Sequence, residues 1–196
     1  MKRPVTQLSG VAQWHELLSD AQTRAQLKLS EMLEHYLVTL LMRFTRRGDA
    51  LCQVVAPNYL SAMAQEGRQQ PHELRDVGDV CLLLSGLFAG RARKRLVSPH
   101  YYIDLGRAAY AQASNSLDTE EHPLFATLAE RFVSAMDVLM AIRLLDEGNA
   151  ETLLPDAISA HELWQRSGSA SARDALRMRC DEDSLVLAPA TTTQLH

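Results

Sequence analysis

Apolar residues recur at steps of three and four along almost the whole chain, and no segment alternates in the manner of a β-strand. A spacing of this kind puts apolar side chains on one helix face, and it commits the sequence to helices that bury those faces against each other. The clearest stripes are Leu33, Leu37, Leu40 and Phe44; Leu74, Val77, Cys81, Leu84 and Phe88; and Phe125, Leu128, Phe132, Ala135, Leu139 and Ile142. Helices are expected over about Val11–Leu27, from Ser30 to the Arg46–Arg47 pair, after Pro57, over 71–92, 98–114, Pro123–Asp146, Pro155–Arg166 and Ala172–Arg179. Ser30 and Ser98 suit N-caps, and Pro71 and Pro99 suit the first helical turn. The fold class is therefore all-α: a single helical bundle of about six or seven helices. Residues 1–180 form its domain, and 181–196, with no usable period, form a flexible tail.

The 71–92 and 98–114 segments are expected at the centre as a close-packed hairpin. Leu83 and Leu87 widen the apolar stripe of the first, so that its second half is buried all round. Gly78, Ser85 and Ala89 line one side of it, and Gly106, Ala109 and Ala113 line one side of the second. A glycine inside a helix costs roughly 1 kcal/mol against alanine. Close approach of another helix offsets that cost.

Composition narrows the function classes. With 196 residues and 46% hydrophobic content the chain is long and apolar enough for a proper core. The net charge of −4 gives no general pull toward nucleic acid or anionic membrane. Cys52, Cys81 and Cys180 are odd in number and far apart, which suits a reducing compartment rather than a disulfide framework or a zinc site. The longest uncharged run, Val80–Gly90, is about half the length a membrane span needs. The opening MKRPVTQLSG has no apolar run behind its basic residues, so no signal peptide is read there. The expectation is a cytoplasmic protein with no membrane association.

Three groups of residues could carry chemistry. The segment SPHYYIDLGRAAYAQAS brings together His100, Tyr101, Tyr102, Asp104 and Arg107. Its first reading is a core helix whose tyrosine hydroxyls find polar partners, since a buried tyrosine needs one. Its second is a small ligand pocket lined by His100, Tyr101, Tyr102 and Asp104. Asp76 and Asp79 lie on the side of Leu83, which would draw them inward. A buried carboxylate must be paired or hydrogen-bonded, so a structural ion pair or a tyrosine bond is expected, with acid–base chemistry as the alternative. Arg91, Arg93, Lys94 and Arg95 form the densest positive patch, either a solvated helix end or a contact for an acidic partner.

Known catalytic and cofactor signatures are missing from the sequence. It has no Glu-x-x-His of di-iron bundles and no His-Glu-x-x-His of zinc proteases. Nor does it contain a P-loop or a nucleophile elbow, and no cofactor is called.

The residues Leu74, Arg75, Gly78, Asp79, Leu82, Gly86 and Phe88, followed by Tyr101, Tyr102, Gly106, Ala109 and Tyr110, resemble a group of bacterial, mainly proteobacterial, helical proteins. Those proteins share an LRxxGDxxLxxxGxF helix and a YYxxxGxxAY helix. The resemblance spans roughly Leu29–Ile142. It implies an all-helical fold and a bacterial cytoplasmic origin, and transfers no catalytic residue. Taken together, the sequence points to a non-enzymatic binding or regulatory protein acting through a protein partner, with a homodimer as one form of that partnership and nucleic acid disfavoured. The alternative is a small-molecule or cofactor-binding protein, with oxidoreductase chemistry as one form of it, and a pocket near Tyr101, Tyr102 and Asp79.

Overall fold

The computed structural model describes residues 10–46, 55–64, 70–89, 98–115, 122–145 and 157–186. Among them are nine helices and no strand: α1 (Gly10–Ala25), α2 (Glu31–Arg46), α3 (Val55–Ala64), α4 (Gln70–Ser85), α5 (Pro99–Asn115), α6 (His122–Glu130), α7 (Phe132–Leu144), α8 (Ala157–Ser167) and α9 (Ala170–Val186). The all-α bundle is as expected, with more helices than six or seven.

Local chemistry sets most of the boundaries. α1 ends two residues before the expected Leu27 because Gln26 turns left-handed at φ 52°. The Gln22 side chain then accepts the Leu29 N–H at 2.8 Å. Ser30 caps α2 through the Leu33 N–H at 3.4 Å, and Ser98 caps α5 through the His100 N–H at 3.3 Å. α3 begins at Val55, ahead of Pro57, which sits in the first turn where its missing N–H has no helical acceptor to lose. α4 stops at Ser85, short of the expected 92, and the chain turns there with the Phe88 N–H bonded to Leu83 O at 2.8 Å.

The expected single helix from Pro123 to Asp146 is two, because the chain bends at Arg131 (φ −94°, ψ 16°). Hydrogen bonds continue through the bend, from the Arg131 N–H to Thr127 O at 2.8 Å and from the Ala135 N–H to Arg131 O at 3.0 Å. Arg107 of α5 donates from Nε to Ala129 O at 3.2 Å beside it. A side chain entering the ladder in this way is a recognised cause of a kink.

α4 is the centre of the bundle, with every residue from Val77 to Ser85 buried. Its most extensive packing is against α5, so the central hairpin is present. The glycines set its closeness. A Cβ placed on Gly78 would lie 2.6 Å from Tyr110 Cε1, and one on Gly106 would lie 2.5 Å from Phe132 Cε2 and 2.8 Å from Cys81 Cβ. Neither site has room for a methyl group.

α8 and α9 form a second hairpin, joined through Gly168 (φ 73°) and Ser169. α9 runs on to Val186, into the segment with no legible period.

Candidate functional site

The most connected polar group in the bundle is Asp79, 4% exposed on α4. Its Oδ1 accepts the hydroxyls of Tyr36 at 2.6 Å and Tyr110 at 2.7 Å, from α2 and α5. Its Oδ2 accepts from Arg43 Nη2 on α2. Arg43 Nη1 also lies 3.8 Å from Asp76 Oδ1, and Arg75 Nη2 lies 3.1 Å from the same oxygen. One carboxylate thus ties three helices together.

Burial pushes the Asp79 carboxyl above the ordinary carboxylate range, while Arg43 and the two tyrosines oppose that push. Three donors and no acceptor face its two oxygens, a set that only the ionised form satisfies in full. The same burial, with Asp79 adding to it, holds the Tyr36 and Tyr110 phenols well above their usual range. Both therefore stay protonated and act as donors. Both oxygens of this carboxylate accept from fixed partners, so the cluster serves as a structural tie between the helices.

Above the cluster, α1, α2, α4 and α6 leave an open cleft of about 1030 Å³. Tyr36, Leu124 and Phe125 give it an apolar side, and Glu31, Glu34 and Arg75 give it a charged one. The Tyr36 and Phe125 rings meet edge to face with centroids 6.1 Å apart. Glu34 accepts from Gln22 Nε2 and lies against His15 Nδ1, each at 3.3 Å, which links α2 to α1. Met32 is 40% exposed at this face. Tyr36 belongs to both features, its hydroxyl in the cluster and its ring in the cleft.

The residues named from the sequence do not assemble into one pocket. Asp79 is buried and bonded as a structural carboxylate, with Tyr36, Tyr110 and Arg43 as partners rather than the adjacent Arg75. Asp76 is exposed and pairs with Arg75. Tyr101 and Tyr102 touch each other, with ring centroids 5.3 Å apart, but Tyr102 is buried and Tyr101 is 37% exposed. Asp104 is exposed on α5. His100 is buried, 5% exposed. The backbone of Glu162 in α8 lies near its ring. Burial, and then Arg166, lower its pKa, against the pull of Asp104 and Glu162. The docking of α8 on this end of α5, which no local pattern announces, is the reason. The basic patch of Arg91, Arg93, Lys94 and Arg95 lies outside the described residues.

A second buried carboxylate escaped the sequence reading. Asp137 of α7, 2% exposed, accepts the Ser169 hydroxyl at 2.5 Å and the Ala170 N–H at 2.8 Å. Ser169 in turn accepts the Ala172 N–H at 3.1 Å, so the two residues together cap α9. Burial raises the Asp137 carboxyl to about 6, against these hydrogen bonds. The signal was a lone acid inside the apolar run FVSAMDVLMAI. Burial also pushes the Cys81 thiol up to about 12, which keeps it neutral and unreactive.

Among the described residues no group of three or more His, Cys, Asp or Glu side chains is arranged to hold a metal ion. No helix there is long and apolar enough to cross a membrane. No protein-family model, curated protein or solved structure matches the chain.

Proposed function

We propose that this is a non-enzymatic binding or regulatory protein that acts through a protein partner, and that the cleft over Tyr36 receives that partner. The observation that carries the reading is the cleft's form. It is open, about 1030 Å³ in volume, with aromatic and aliphatic side chains on one side and charged groups on the other. Small-molecule sites run from about 300 to 1,000 Å³ and bury most of their ligand. An open cleft at the top of that range better suits a segment of chain laid across it, anchored by apolar side chains as in helix-in-groove recognition. The state of the buried groups supports the same reading, because Asp79, Asp137 and Cys81 are committed to structural bonds or held neutral.

A native mass spectrum and an absorbance scan of the purified protein separate this from the small-molecule reading. The expected species is the 21.8 kDa chain or a multiple of it, without colour. A stoichiometric bound small molecule would put the ligand-binding reading in its place.

A further inference from the structure

We infer that the segment received by the cleft is a cationic amphipathic helix, with lysine or arginine set against Glu31 and Glu34 and leucine-like side chains against Leu124 and Met32. This inference rests on the partner-binding reading of the same cleft and names the chemistry of its occupant.

Charge complementarity is the first argument. Of the charged groups around the cleft, Arg75 is paired with Asp76 at 3.1 Å. Glu34 has only two long contacts, with His15 and Gln22 at 3.3 Å each. Glu31 is exposed and has no ion pair among the described residues. The charge left over is negative. Its two carboxylates stand three residues apart on α2, so they share one face of the helix.

The aromatic side of the cleft is the second. The Tyr36 hydroxyl is pinned by Asp79 at 2.6 Å, so the ring is held in place before anything binds. A guanidinium or ammonium placed near its face gains a cation–π contribution beyond the carboxylate pairing. Met32, an adaptable side chain already 40% exposed, can reshape around an aliphatic residue.

The test uses the full chain and two fluorescent probe peptides of roughly 18 residues, long enough for an amphipathic helix. One has leucine on one face and lysine on the other, and the second has glutamate in place of lysine. The lysine probe is expected to bind, to perturb the amide resonances of Met32, Tyr36 and Leu124, and to weaken as salt rises. Glu31→Gln is expected to weaken it about two- to fivefold, the range for a rim ion pair. Asp104→Asn removes the same charge from an exposed position on α5, outside the cleft, and is expected to leave binding unchanged. Equal loss from Glu31→Gln and Asp104→Asn would reduce the effect to net charge and overturn the inference. Equal binding of both probes at the cleft resonances would overturn the cationic class and leave the docking reading standing. If neither probe moves those resonances, the docking reading itself is contradicted. A chain that self-associates through the cleft would overturn the choice of a separate partner.

Discussion

At the residue scale, the structure turns on two buried carboxylates used in different ways. Asp79 joins three helices, and each tyrosine bond to it is charge-assisted. Tyr36→Phe and Tyr110→Phe should each lose about 1.5–3 kcal/mol in urea unfolding, the range for a hydrogen bond to a charged group. Asp79→Ala strands three donors and should cost about 2–4 kcal/mol, reduced from a fully buried pair because Arg43 is 40% exposed. Tyr102→Phe should cost less than Tyr110→Phe, since Tyr110 carries the bond to Asp79; the reverse order would displace Asp79 as the hub. For Asp137 the folded pKa is raised to about 6. The unfolded chain then gives up this proton first as pH rises, so stability falls between about pH 4 and 6 and is level above that. Asp137→Asn should remove that fall, worth up to about 3 kcal/mol. The difference in unfolding midpoint between wild type and variant should change across that range, and parallel curves would contradict the assignment.

At the element scale, glycine placement and capping decide how helices meet. On propensity alone Gly78→Ala would gain about 1 kcal/mol. Against the Tyr110 ring it should instead destabilise by about 1–3 kcal/mol, because the new methyl has no space to enter. A stabilised Gly78→Ala would show that the hairpin is looser than these contacts require. The α8–α9 hairpin is held differently, with Asp137 capping α9 from α7. Asp137→Ala should therefore speed amide exchange over 157–179 before the 74–85 core is affected. The small-residue stripes that predict the first hairpin are visible in sequence, because close packing demands particular residue sizes at fixed spacing. The bend at Arg131 and the burial of His100 are not visible there. Both depend on distant helices, on the Arg107 side chain in one case and on the packing of α8 against α5 in the other. The same is true of Tyr36 and Arg43. Seven residues apart on α2, they flank the apolar stripe, and only the arrival of α4 gives them a common partner.

At the scale of the whole molecule, a continuous core is built around α4, and a cleft of about 1030 Å³ opens where α1, α2, α4 and α6 leave Tyr36 only partly buried. From sequence, the Tyr101–Tyr102 segment reads first as a core helix, with a ligand pocket near Tyr101, Tyr102 and Asp79 as the alternative. Helical spacing can say which residues share a face, but not which faces are left without a neighbour. The central claim is that this opening is a partner-binding surface. A photo-crosslinking residue at position 32, on the cleft, can be compared in the living host with one at the exposed position 108 on α5. The account predicts one discrete protein adduct from position 32, diminished by Glu31→Gln, and none from position 108. Identical adduct patterns from the two positions, or none from position 32, would contradict it.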